Sequence, residues 1–188
     1  MSNASPPRLE ASLLARLETG IDANSLEDEV LALHDLLRSR LFRYAVSLGL
    51  KAHDAEDVIQ ETFLALFSHL QAGRSNSNLL GWIFRVTHNL ALKRRIRYSM
   101  EDQTGHGEDL GPPTLEPGPE ENLIFGERQL RLRCAFEALP EIDRLCLQLR
   151  AEGLKYREIS KILGISLGSV ANSLGRSLSR LRRSEGGK

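Results

Sequence analysis

Residues 156–183 read YREISKILGISLGSVANSLGRSLSRLRR, and they divide into two amphipathic helices that meet at a turn. In the first, Tyr156, Ile159, Ile162 and Leu163 share one face by helical spacing. Gly164 then supplies the left-handed conformation that a helix stop needs, and Ser166 follows as an N-cap. In the second, Val170, Leu174, Leu178 and Leu181 stand at i, i+4, i+8 and i+11, a single apolar stripe. Ser169, Asn172, Ser173, Arg176 and Arg180 occupy its polar faces. This is the pattern of a helix-turn-helix: the first helix braces the second, which offers short polar and Arg side chains to a DNA major groove. A plain helical hairpin with a solvated outer face is the alternative reading of the same residues.

The rest of the chain has the same periodicity. Leu dominates the apolar set, only 5% of the 188 residues are aromatic, and no alternating Val/Ile/Thr run occurs, so the expected fold is all-α. The formal net charge is zero but unevenly spread: residues 1–100 carry +1, residues 101–122 carry −7 with no Lys or Arg, and residues 123–188 carry +6. Residues 62–100 hold six basic side chains and no acidic one. Two basic surfaces separated by an acidic connector are the expectation, a distribution that suits nucleic acid better than the overall neutrality suggests. The two cysteines, Cys134 and Cys146, fall at apolar helix positions with no neighbouring His or Cys, which excludes a zinc site and points to reduced core thiols. With no membrane-length apolar run and no signal-peptide core, the expected location is cytoplasmic, with no membrane insertion.

In chain order, residues 1–25 read as a partly disordered extension with a short helix over 9–17. A capping box at Ser25-Leu26-Glu27-Asp28 opens a long helix ending at Gly49. Asp54-Ala55-Glu56-Asp57 opens the next, with carboxylates at the positive end of the helix dipole. Val58, Ile59, Thr62, Phe63, Leu66, Phe67 and Leu70 give it a wide apolar face, and Gln60 and Glu61 point away. After the polar loop at 71–78, with Ser75, Asn76 and Asn78, a third helix runs over 79–98. Its outer side gathers Arg85, His88, Asn89, Lys93, Arg94 and Arg97 near Trp82, a combination suited to melted or single-stranded nucleic acid. Residues 101–122, rich in Pro and Gly, form a flexible acidic linker. Two more helices, one beginning at Pro140 and stopped by Gly153, precede the helix-turn-helix. The expected organisation is an extension (1–25), a helical domain (26–100), the linker and a second helical domain (123–188).

Three stretches together resemble one family. DAEDVIQETF at 54–63 is similar to the acidic helix in the second conserved domain of bacterial sigma factors of the small extracytoplasmic-function (ECF) type, within the sigma-70 superfamily. GWIFRVTHNLAL at 81–92 is similar to their promoter-reading helix, and Leu139-Pro140 with residues 156–183 to their fourth domain. The resemblance implies a dissociable subunit of RNA polymerase that selects promoters, without enzymatic chemistry, cofactor, metal or small-molecule substrate. Asp54, Asp57, Gln60 and Glu61 would dock on the core enzyme, whose beta and beta-prime subunits are the implied partners. The loop with Ser75, Asn76 and Asn78, together with Trp82, Arg85, His88, Asn89, Lys93, Arg94 and Arg97, would melt and hold the promoter element near the start site. Ser166, Ser169, Asn172, Ser173, Arg176, Arg180 and Arg183 would read the farther upstream element as duplex. The family type also admits an anti-sigma partner.

Two departures stand out. Lys93 occupies a position that is usually acidic in the family, and Ala171 and Ser173 stand where it usually has Lys and Arg. Fewer charges on the recognition helix release fewer counterions, so recognition leans on Asn172 and its polar neighbours, with the C-terminal arginines as phosphate clamps. Gly168 and Gly175 cost about 1 kcal/mol each against Ala in a helix interior. The rival reading, a free-standing helix-turn-helix regulator, leaves the acidic helix and the basic Trp-containing helix without a role. A carboxylate metal site on His53, Asp54, Asp57 and Glu61 lacks the Glu-x-x-His motifs that such sites draw from several helices.

Overall fold

The computed structural model describes residues 23–73, 77–102 and 123–185, together with Ser12, Leu14, Ala15 and Leu17. Every element among them is an α-helix. The chain divides into two compact units, Met1–Thr114 and Leu115–Lys188.

The first unit holds α1 (Ala23–Ser47), α2 (Ala52–Gln71) and α3 (Leu79–Asp102), each packed on the other two. Leu33, Leu37, Leu41 and Ala45 from α1 meet Val58, Ile59 and Leu66 from α2 and Ile83, Phe84 and Ala91 from α3 in a core closed to solvent. Gly49, at φ 91°, turns the chain between α1 and α2 in a backbone region that a side chain would disfavour. Leu14 and Leu17 are helical and buried, so the N-terminal extension contributes apolar side chains to the unit. Two boundaries differ from expectation. Ser25 lies inside the first turn of α1 instead of capping it, because the helix begins at Ala23. At the other end α3 continues to Asp102, beyond the predicted stop at 98 and into the segment read as linker.

Small polar groups cross this core in satisfied pairs, as buried polar atoms require. The Thr62 hydroxyl donates to the Val58 carbonyl at 2.7 Å and meets the Thr87 hydroxyl at 3.2 Å. Tyr44 Oη lies 2.8 Å from His88 Nδ1. An Arg38–Glu56 fork, with contacts at 2.6 and 3.2 Å, ties α1 to α2 at the surface.

The second unit holds α4 (Leu123–Glu137), α5 (Glu141–Ala151), α6 (Tyr156–Leu163) and α7 (Leu167–Glu185), with α7 packed on all three others. Pro140 is the N-cap residue of α5, and Gly153 and Gly164 take φ 89° and 66° at the ends of α5 and α6. These three punctuation marks stand where the sequence places them. Leu139, Leu145, Cys146, Leu149, Leu154, Ile159, Ile162, Val170 and Leu174 form the core. The buried seam of α7 is Val170, Ser173, Leu174 and Ser177, at i, i+3, i+4 and i+7, and Leu178 is exposed. The predicted stripe through Leu178 drifts off the contact because i+4 steps alone advance too far around a helix. Cys134 is exposed and only Cys146 is a core thiol, which corrects the expectation for the first of them.

Candidate nucleic-acid interface

On α3, Arg85, Asn89, Lys93 and Arg97 recur at every fourth residue and all four are exposed, a continuous basic and polar stripe. Trp82, half-buried near its start, packs on His69 with ring centroids 4.7 Å apart. Asn78 sets the start of the helix. Its φ of 64° is the left-handed conformation Asn tolerates, and its side-chain oxygen accepts the Gly81 N–H at 3.3 Å. That side chain lies where a residue-81 Cβ would sit, so a larger residue at 81 would have to displace it. Ser75 and Asn76 lie outside the described residues.

Two members of the predicted stripe turn inward. His88 is buried against Tyr44, and desolvation holds its imidazole below the usual histidine pKa, so it belongs to the core instead of the nucleic-acid face. Arg94 is also withdrawn, with a side chain only 16% exposed. Its Nε lies 3.6 Å from Asp54 Oδ1, its Nη2 3.2 Å from Asp57 Oδ2 and 4.0 Å from Glu61 Oε1, and its Nη1 donates to the Asp54 carbonyl at 3.3 Å. It clamps α3 onto the start of α2.

The same contacts redistribute the acidic helix. Asp54 is buried, accepts a hydrogen bond from Tyr98 Oη and lies beside Arg94. The bond to Asp54, burial and the carboxylate charge together hold the Tyr98 phenol above its usual pKa. Asp54 is therefore an internal anchor, not a docking residue, which corrects its predicted role. Asp57, Gln60 and Glu61 remain exposed. Leu64, 68% exposed one turn beyond Gln60 and Glu61, extends that face with an apolar side chain the sequence reading passed over. Its signal was its place off the Ile59, Thr62, Phe63, Leu66 stripe.

In the second unit Ser166 caps α7, its hydroxyl accepting the Ser169 N–H at 3.1 Å and meeting the Ser169 hydroxyl at 2.9 Å. Ala171, Asn172, Gly175, Arg176, Ser179, Arg180 and Arg183 line one shallow concave strip along the helix. Ser179 lines the same strip, one turn beyond Arg176 and two beyond Asn172. Ser173 is buried, 2% exposed, so it packs α7 instead of reading bases. Arg176 is gripped from behind: Asp143 of α5, 2% exposed, receives its Nη2 at 2.9 Å and its Nε at 3.4 Å. Burial alone would raise the Asp143 pKa, but hydrogen bonds from Arg176 and Ser173 and the charges of Arg176 and Arg180 outweigh it and hold the carboxyl below its usual value.

Among the described residues, no three His, Cys, Asp or Glu side chains gather where a metal ion could be held, and no helix is long and apolar enough to cross a membrane.

Both units match known protein families. Residues 33–99 match Sigma-70 region 2 and residues 129–181 match Sigma-70, region 4. These matches define a sigma-70 protein with one region in each unit, and a free-standing regulator would leave the first match unexplained. Among curated relatives, the ECF RNA polymerase sigma factor EcfG of Rhodopseudomonas palustris is 32% identical over 162 residues, covering 84% of this chain and 83% of that protein. SigE of Mycolicibacterium smegmatis, another ECF RNA polymerase sigma factor, is 35% identical over 159 residues, 82% of this chain and 60% of that protein. The fold is also that of the sigma factor RpoE of Bartonella quintana, solved with the anti-sigma factor NepR, at TM-score 0.64 and 23% identity, covering 86% of this chain and 97% of that one. The chain belongs to the ECF sigma factors. It is an RNA polymerase sigma factor and directs transcription initiation.

Proposed function

We propose that the first unit docks on core RNA polymerase through Asp57, Gln60, Glu61 and Leu64 and holds the promoter element near the start site through Asn78, Trp82, Arg85, Asn89, Lys93 and Arg97. The second unit reads the farther upstream element as duplex through Ser166, Ser169, Asn172, Arg176, Ser179, Arg180 and Arg183. The observation that carries this division is the separation of chemistries on the first unit: three exposed acidic and amide side chains on α2, and an exposed basic stripe on α3. An acidic face suits a basic protein partner, and a stripe of Arg, Asn and Lys suits phosphates and unpaired bases. On this reading the chain contributes binding and selection, and the polymerase contributes the chemistry, in the cytoplasm. An anti-sigma protein that masks one of these faces is a further partner, by analogy with RpoE and NepR.

The test is a sizing column loaded with the purified chain and core RNA polymerase, with the chain and promoter duplex run in parallel. Co-elution with polymerase and weak binding to free duplex is the expected result. Tight duplex binding with no polymerase complex would overturn the assignment.

A further inference from the structure

Arg176 occupies the middle of the helix that faces duplex DNA in the reading above, on which this inference rests. Its guanidinium is held from one side. Nε and Nη2 form a side-on fork on Asp143, at 3.4 and 2.9 Å, and the Ser173 hydroxyl lies 3.3 Å from Nη2 beside the same carboxylate. Asp143 and Ser173 are each 2% exposed, whereas the Arg176 side chain is 59% exposed. Nη2 carries two hydrogens, and the fork takes the one on its Nε side. The other makes an end-on pair with Nη1, which meets no partner among the described residues. Arg176 shares its concave strip with Asn172, Ser179 and Arg180.

Charge and direction both favour a base edge over a phosphate as the acceptor for that pair. Burial pushes the Asp143 carboxyl up, but the bonds from Arg176 and Ser173 outweigh it and keep it ionised. The Asp143–Arg176 pair is therefore net neutral, and a neutral pair releases little counterion on meeting a phosphate. The fork also fixes where the remaining donors point. A phosphate accepts from many directions, whereas the O6 and N7 of a guanine stand at set places in the major groove and reward two parallel donors held in register. Arg180 and Arg183 line the same strip without such a carboxylate fork among the described residues, so their charge stays available for phosphates.

We propose that Asp143 is a positioning residue for promoter recognition: its side-on fork locks Arg176 so that the end-on Nη1/Nη2 pair reads a guanine of the farther upstream element, and its charge cancels the attraction Arg176 would otherwise have for any sequence. Asp143 had no local signal in the sequence, since a carboxylate in a first helical turn reads as a dipole partner and its true partner lies 33 residues away.

The test uses holoenzyme assembled from core polymerase and the full chain. Binding is measured over a salt series to promoters substituted one base pair at a time in the farther upstream element. The wild type is expected to discriminate about tenfold or more at one G·C pair. Arg176→Ala removes that discrimination, keeps the preferences at the other positions, and leaves the slope of log affinity on log salt nearly unchanged. Arg176→Lys retains an ion pair with Asp143 but offers no parallel donors, so it loses the same discrimination in a fold that keeps its buried charge partnered. Asp143→Asn lowers discrimination at that pair severalfold and steepens the salt slope, because the Arg176 charge is no longer cancelled, and it removes no further discrimination when residue 176 is already Lys. Uniform weakening of every promoter by Arg176→Ala, with a slope lower by about 1, would make Arg176 a phosphate contact and overturn the proposal. Discrimination and slope both unmoved by Asp143→Asn would reduce Asp143 to a structural residue. Wild-type holoenzyme indifferent to every substitution would instead overturn the underlying assignment of α7.

Discussion

The two units use one device in two ways. In each, the third residue of a helix is a buried Asp that takes an Arg from the next long helix: Asp54 of α2 takes Arg94 of α3, and Asp143 of α5 takes Arg176 of α7. The Arg side chains differ in exposure, 16% at Arg94 against 59% at Arg176. Arg94, surrounded by Asp54, Asp57 and Glu61, is absorbed into the unit as a strut. Arg176 is held on one edge by Asp143, and its Nη1 meets no partner among the described residues. A count of basic residues on a helix therefore overstates its nucleic-acid face. The partner behind each residue decides how much of its charge remains available.

The largest expected effect concerns the carboxylates that stay exposed. Asp57→Arg with Glu61→Arg should abolish co-elution with core polymerase while the helical circular-dichroism signal is retained, and unchanged affinity would sink that docking face. Next is the strut. Asp54→Ala removes one partner of a buried pair and should lower the urea-unfolding free energy of the first unit by about 3 kcal/mol or more. A loss below ~1 kcal/mol, the range of surface pairs, would mean that Arg94 is solvated after all and would erase the contrast with Arg176. Arg85→Ala with Lys93→Ala, both on the exposed stripe, should leave stability alone and reduce the salt slope of promoter binding by about 2, one for each phosphate contact.

Acid stability sharpens the contrast further. His88 titrates lower in the folded unit than its ordinary 6.5, so the unfolded chain binds the proton first. Stability is complete above that value and falls as pH drops through it, and His88→Gln should flatten the decline in a series of thermal melts. Asp143 shows the same sign at lower pH: its folded pKa is depressed, so its contribution is lost as pH falls below the carboxylate's ordinary 3.8. The smallest effect is at Gly175, where an added Cβ meets nothing within 4 Å. Gly175→Ala should raise stability by about 1 kcal/mol through helix propensity alone, and any promoter-binding loss in this variant would show that the strip needs close backbone approach.

Much of the fold was legible because its signals are local. Gly49, Gly153 and Gly164 end their segments, Pro140 starts α5, and Ser166 caps α7, each through a backbone preference that acts within a few residues. The exposure of the basic stripe was legible for a related reason, since Arg85, Asn89, Lys93 and Arg97 follow one helical face. What escaped depends on contacts distant in sequence. His88 stands at i+4 from Phe84 and i−3 from Ala91, on the buried face of α3, and its inward imidazole is met by Tyr44, 44 residues earlier. Arg94 and Asp54 are 40 residues apart, and Ser173 looks like a polar surface residue until α5 brings Asp143 beneath it. Periodicity also ranks Leu178 above Ser177 for burial, while the packing of α7 against its neighbours chooses Ser177. Polarity alone does not reveal which side of a helix a small hydroxyl occupies.

The most direct test of the account is promoter-directed transcription. Core RNA polymerase alone and core with the chain are given a linear template carrying a promoter of the organism that encodes it, and the start sites are mapped. A discrete transcript that appears only with the chain, and disappears with Asp57→Arg and Glu61→Arg, is the predicted result. Unchanged output from core polymerase, with the chain bound tightly to the template on its own, would contradict it.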